Sequence, residues 1–477
     1  MTSFFSSCAA AMVLFLVSAG CTSLDLHPNA DQAFREFAPP LAGGSRLTIP
    51  VVKRARLANG LRIAVIEDAS AATLKIAFAD RAASDSGPYN FGLAEFTAAV
   101  MRESAEAKAN SPSDLVHAVS QRHNQSGTTF QLTILPEQAA AGLDALAGIV
   151  EHPSFDANLC AKVRAELKVG YAAQATGVIP SLTYLAAETL FGADHPLAHP
   201  IGGTDRDRAE FKDDAAAVFY AARYQPNKSA LLFVGSITLE QAVDLAQERF
   251  ETWRPPAVAS PPQEALPPLR PEQQRKPALA IATGGEFATF LLAAPCPARG
   301  APDTIVADLA AELLGNLMQS GVRGRLRSAF GSSYTVSAQC RQSRNSGLFS
   351  LEFDTELPRF STAVHATLAE LTQLRTIPPS PSALAAARAS YLGRHAESFG
   401  TSTGELTMLT DQFSNALPDD FYAQLEARVN AVTPSDVTEY AARWLKESST
   451  IIAAEGEYSG LTDGLSQIGE VQWFEMH

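Results

Sequence analysis

The chain has 477 residues, 46% of them hydrophobic and 18% charged, which is too long for one ordinary core of ~100–200 residues. The apolar content excludes a disordered chain, five Cys exclude a disulfide scaffold, and no collagen-like or heptad bias is present. With 37 Lys+Arg against 51 Asp+Glu and a net charge of −14, a general nucleic-acid binder is excluded, because phosphate binding needs surplus Lys and Arg.

No charged side chain precedes Asp25, and Ala9–Gly20 is an apolar run ending in Ser18-Ala19-Gly20-Cys21. About 12 apolar residues are too few for a bilayer that needs ~20 but suit the apolar stretch of a secretory signal. The Ala-Gly-Cys ending resembles a bacterial lipobox. It implies a signal peptide over 1–20, lipidation of Cys21, a membrane attachment through that lipid, and a periplasmic, outer-membrane lipoprotein of a Gram-negative cell. Plain secretion is the alternative reading. Residues 21–47 read as a polar tether. Cys160, Cys296 and Cys340 are far apart and form no C-x-x-C, so they are expected as small buried hydrophobes.

Periodic sequence begins with the turn signal Asn59-Gly60 and the alternations Leu61/Ile63/Val65 and Leu74/Ile76/Phe78, which predict half-buried strands. Leu93, Phe96 and Val100 mark a helix. Phe130, Leu132 and Ile134 mark another strand, and helices are predicted over 137–150, 157–175, 181–191 and 213–224. The apolar run 230–234 closes the region at Gly235. Residues 254–277 hold eight prolines and read as a semi-rigid linker. Beyond it Tyr220-Ala-Ala-Arg-Tyr224 is echoed by Tyr440-Ala-Ala-Arg-Trp444, each followed by an apolar strand ending in Gly235 or Gly456. A matched string with matched flanks indicates an internal duplication. The expectation is an α+β protein of two homologous domains, 48–253 and 278–460, each a mostly antiparallel sheet packed by helices, followed by a tail over 461–477.

Several strings carry a family resemblance: Leu57-Ala-Asn-Gly-Leu61, Gly92-Leu-Ala-Glu-Phe-Thr-Ala-Ala-Val100, Pro153-Ser-Phe155, Phe191-Gly-Ala-Asp-His-Pro196 with Gly203-Thr204, and Tyr224-Gln-Pro-Asn227. Together they resemble the insulinase-like (pitrilysin, mitochondrial processing peptidase type) zinc peptidases over roughly residues 50–460. Active members carry H-x-x-E-H, whose two His ligate zinc while the Glu polarises the bound water. Here those positions are Glu95, Ala98 and Ala99, and a methyl group can do neither. The third family ligand, a Glu, falls near Ala172, where the nearest acid, Glu166, is out of register. This chain is therefore expected to bind no metal, zinc being expected on a partner subunit. His195 and His199 fall in a His-Pro loop and read as structural, His117 and His123 as solvated, and His365 and His395 as isolated.

The string Ser320–Val336 resembles the family's element that supplies an Arg and a Tyr seven apart, here Arg327 and Tyr334. The resemblance implies an oxyanion- and substrate-stabilising pair acting in trans. Arg323 and Arg325 read as solvated. The whole implies the non-metal subunit of a heterodimeric envelope peptidase. It would be inactive alone and act on unfolded peptides beside a homologous subunit carrying H-x-x-E-H. The alternative is an inactive peptide-binding or assembly scaffold.

Overall fold

Each half of the chain builds a six-stranded sheet, and the two sheets repeat one topology. The computed structural model describes residues 47–81, 90–111, 113–174, 178–254, 278–316, 321–330 and 336–474, without the side chains of 170–174, 178–180, 316 and 327–330. The signal stretch, Cys21, nearly all of the tether and residues 255–277 of the linker lie outside the described residues. From Leu47 onward the chain belongs to one compact unit.

In the first half the strands are β1 (Lys53–Arg56), β2 (Arg62–Glu67), β3 (Leu74–Asp80), β4 (Ser120–Asn124), β5 (Gly127–Ile134) and β6 (Ser229–Gly235). The helices are α1 (Leu93–Glu106), α2 (Ala139–Val150), α3 (Ala157–Gln174), α4 (Val178–Phe191), α5 (Asp205–Ala209), α6 (Ala215–Arg223) and α7 (Leu239–Phe250). The second half has β7 (Ala278–Ala282), β8 (Phe287–Cys296), β9 (Ser337–Gln342), β10 (Gly347–Glu356), β11 (Ile451–Gly456) and β12 (Val471–Phe474). Its helices are α8 (Thr304–Ala311, continued by a π-turn to Asn316), α9 (Gly321–Phe330), α10 (Leu357–Thr376), α11 (Pro381–Phe399), α12 (Ser402–Ser414), α13 (Leu425–Ala431), α14 (Pro434–Trp444) and α15 (Tyr458–Leu465).

The strand orders are β1-β2-β6-β3-β5-β4 and β12-β7-β11-β8-β10-β9. β2 runs parallel to β6 as β7 does to β11, and both sheets are otherwise antiparallel from that pair to the β4 or β9 edge. The echoed strings lie on α6 and α14, each leading into the matching strand, β6 or β11. The halves differ at one edge. The first sheet ends in β1, which makes an antiparallel hairpin with β2, whereas the second ends in β12, which lies parallel to β7. The tail expected from 461 is thus corrected. Leu461 and Leu465 of α15 are fully buried and residues 471–474 complete the second sheet, so this half extends to Phe474.

Each sheet buries apolar residues on both faces, for different reasons. One face packs on the sheet's own helices: Ile63, Val65, Ile76, Phe78, Phe130 and Phe233 in the first half, Phe290, Leu292, Phe349 and Phe353 in the second. The other face is covered by a helix from the opposite half. Leu182, Ala186, Ala187 and Leu190 of α4 pack on Leu279, Leu291, Ala293, Leu348, Ile451 and Ala453 of the second sheet. Reciprocally, α12 lies on β3 and β6, joining Ala77, Ala79, Ala230 and Leu232 in one cluster with Leu406, Leu409 and Phe413. Burying a Leu side chain fully contributes about 1.5–3 kcal/mol.

Polar contacts hold α12 from both sides. Arg299 donates to Asp411 from Nη2 at 3.0 Å and to Tyr422 Oη at 3.3 Å. From the first half, Ser126 Oγ donates to Asn415 Oδ1 at 2.7 Å and Arg54 to Gln412 Oε1 at 2.9 Å.

Cys296 and Cys340 are not separate buried thiols, as the sequence suggested, but a disulfide closing a 44-residue separation. They sit on β8 and β9, on either side of β10, and the bridge passes Gly347, where an added Cβ would lie 2.8 Å from Cys296 Sγ. Cys160 is buried and free. The Cys296→Ser/Cys340→Ser double variant should lower stability by about 2–4 kcal/mol on loop-closure grounds. Urea unfolding with and without reductant measures this, and a reductant-insensitive midpoint in the parent would contradict the pairing.

Candidate functional site

The degenerate motif lies on α1, which starts at Gly92 with a φ of 84°. A side chain there would meet Gly202 O at 2.1 Å, and one at Gly203 would meet Phe91 O at 2.4 Å, so two strings far apart in sequence meet backbone to backbone. Arg208 donates to the carbonyls of Gly202 and Gly203 at 2.8 and 2.7 Å, and His199 stacks on Phe91 with centroids 3.5 Å apart. His195 accepts from the Leu197 amide through Nδ1 at 3.1 Å, and burial lowers its pKa to about 4, so the ring stays neutral. The His-Pro loop therefore holds the start of α1, the structural role expected of both histidines.

Within α1, Ala98 is fully buried and Ala99 is 9% exposed, both inside the first half's core. The helix packs on α3 and α6. It is tied to α3 by the Lys162–Glu103 ion pair and by Arg164 over the Phe96 ring at 5.6 Å. Glu166, the only acid near the family's third ligand position, is 55% exposed and faces Lys162 at 3.8 Å. Among the described residues no three His, Cys, Asp or Glu side chains come together as a metal would require. The donor set does not fit zinc, since one carboxylate, Glu95, stands where three ligands and a water position are needed.

Glu95 nevertheless sits at a meeting of the two halves. Burial raises the pKa of the Tyr184 phenol on α4; Arg341 of β9 opposes the rise and Glu95 adds to it. Gln339, with its amide oxygen turned to Arg341, accepts from Nε and Nη2 at 3.0 Å. Local sequence gave no signal for Tyr184, Gln339 or Arg341, because only the register of β9 and the crossing of α4 bring them toward Glu95.

Of the expected second-half pair, Arg327 lies on α9 with its side chain outside the described part, and Tyr334 lies outside the described residues altogether. Arg325, expected to be solvated, is exposed, and it pairs with Glu370 and donates to Gln373 at 2.8 Å. His123, also expected to be solvated, is half-buried with Nδ1 at 2.7 Å from Thr128 Oγ1. His117 and His365 are exposed, and His395 packs against Tyr391 and Phe399.

Fold and site together define a duplicated α+β body in which the helix carrying Glu95, Ala98 and Ala99 is packed as core. Residues 213–391 match the family model described as the peptidase M16 inactive domain. Three solved structures share the fold. A peptidase M16 inactive domain from Pseudomonas fluorescens is 17% identical, covers 85% of this chain and 98% of its own, and has a TM-score of 0.72. A protease from Helicobacter pylori is 14% identical over 86% of this chain and 100% of its own, at TM-score 0.74. A chain of complex III2 from Candida albicans, with Inz-5 bound, is 15% identical over 88% and 99%, at TM-score 0.70. No curated protein matches the sequence. Residues 213–391 are thus similar to the M16 inactive domain, and the chain shares the fold of these three structures, with Glu95, Ala98 and Ala99 where the sequence resemblance would place H-x-x-E-H.

Because position 98 is packed as core, Ala98→Glu should cost at least about 2 kcal/mol by burying an unpaired carboxylate. Urea denaturation measures it; a loss under about 0.5 kcal/mol, the range of ordinary surface sites, would mean that the helix still keeps room for the motif's glutamate.

Proposed function

We propose that this chain is the non-metal subunit of a heterodimeric zinc peptidase of the bacterial envelope, itself binding no zinc. A homologous subunit carrying H-x-x-E-H would supply the metal site, and this chain would donate Arg327 and Tyr334 to it while helping to hold an extended, unfolded peptide. Hydrolysis builds negative charge on the scissile oxygen, and a phenol O–H with a permanently charged guanidinium can stabilise it. One observation carries the reading: Ala98 and Ala99 are core residues of α1, while the stretch matched by the inactive-domain model contains both Arg327 and Tyr334. The Cys296–Cys340 disulfide supports an oxidising compartment such as the periplasm, as does the Ala9–Cys21 leader. Among the described residues no helix is long and apolar enough to cross a membrane, so attachment to the outer membrane would rest on a lipid at Cys21.

A second reading, an inactive peptide-binding or assembly scaffold, is favoured by the likeness to a chain of complex III2. In that case Arg327 and Tyr334 take no part in chemistry. Mixing the full chain with a homologue that carries the intact motif, and following a quenched peptide, separates the two. Arg327→Ala or Tyr334→Phe should lower the mixture's kcat by about 10²–10³. Unchanged activity would leave the scaffold reading, and chelator-sensitive cleavage by the chain alone would contradict both.

A further inference from the structure

The face of the second sheet covered by α4 is apolar at one end and acidic at the other. Strand alternation places Leu348, Ser350, Glu352 and Asp354 of β10 on this face, with Phe287, Thr289 and Leu291 of β8 and Ile451, Ala453 and Glu455 of β11. The α4 helix packs on the leucines and alanines. Toward the other end Asp354, Thr289 and Glu455 form one row across three strands, with Glu352 one step inward.

These carboxylates grade from surface to interior: Asp354 is exposed, Glu352 half-buried, and Glu455 8% exposed. Buried Oε2 atoms of Glu352 and Glu455 have no hydrogen-bond partner. Neither does Ser350 Oγ beside them, on a residue only 1% exposed. Burial raises the pKa of both glutamates; Arg341 opposes the rise at Glu352, and a hydrogen bond with Thr283, which leaves Oε2 unpartnered, opposes it at Glu455. The remaining groups nearby are already engaged. Thr289 Oγ1 donates to Asp354 at 2.8 Å, Arg359 pairs with Glu356 at 3.3 Å, and Arg341 is held by Gln339. At the rim Phe287 is 60% exposed, an aromatic face next to the acidic row.

Buried acceptors without donors are costly unless something supplies the donors. An ammonium or guanidinium group supplies several at once, and a flanking ring adds cation–π attraction. A metal ion is the poorer fit, since no three ligating side chains converge among the described residues. We propose that this end of the second sheet is a subsite for a Lys or Arg side chain of a bound peptide, with Glu352, Glu455 and Ser350 as its floor and Phe287 as its rim. The proposal rests on the peptide-binding reading above and adds the class of peptide.

The test is fluorescence anisotropy on the full chain with labelled unstructured Gly/Ser/Ala peptides that differ only in a central Arg or Gln. The Arg peptide should bind about tenfold tighter at low salt, with the difference shrinking in about 0.5 M NaCl. Glu352→Gln and Glu455→Gln should remove that preference by bringing the Arg peptide's affinity down to that of the Gln peptide. Equal binding of the two peptides by the parent overturns the subsite alone, as does a preference that survives both substitutions. Binding of neither peptide overturns the peptide-binding reading and the subsite with it.

Discussion

Each half of this molecule makes a sheet that buries apolar residues on both faces but has enough helices of its own to cover only one. The uncovered face of each is closed by a helix from the other half, α4 on the second sheet and α12 on the first. This exchange is the constraint on which the remaining features depend. It makes the strands read as near-continuous hydrophobic runs, as in β6, which is buried at every position. It also explains why Ala77, Ala79 and Ala230 face α12, since small residues let a helix approach a sheet closely. The buried Arg299–Asp411–Tyr422 contacts fix α12 to its own half, while Ser126 and Arg54 fix it to the other.

With the halves joined in this way, the architecture around α1 does not depend on a bound metal. The helix is positioned by backbone contact at Gly92 and Gly203 and by the His-Pro loop, none of which requires a ligand. Ala98 and Ala99 then fill the space as core. What stays polar is the boundary between halves, where Glu95, Tyr184 and Arg341 act on one another, and the acidic end of the second sheet.

Much of this was legible in the residues. Period-two alternation located β2, β3 and β5, and the Tyr-Ala-Ala-Arg echo exposed the duplication because α6 and α14 occupy matching places before β6 and β11. The departure of Glu95, Ala98 and Ala99 from H-x-x-E-H is a matter of sequence alone. Other features depend on distance in the fold. An apolar stripe on α4 looks the same whichever sheet it covers, so its crossing to the other half left no local mark. The Cys296–Cys340 pairing depends on β10 lying between two strands and on Gly347 leaving room for the bridge. β12 is four residues at the chain's end and had no turn signal to announce it. Ser350, Glu352 and Glu455 are unremarkable singly and become a group only through register.

The central claim is that the two halves form one body because each supplies a wall of the other. It is tested most directly by cutting the chain once, at a protease site engineered into the Pro-rich stretch 255–277, and following the products by size-exclusion chromatography under native conditions. The account predicts that the two fragments co-elute as one particle of parental size and unfold together in a single calorimetric transition. Two fragments that separate and melt independently would contradict it.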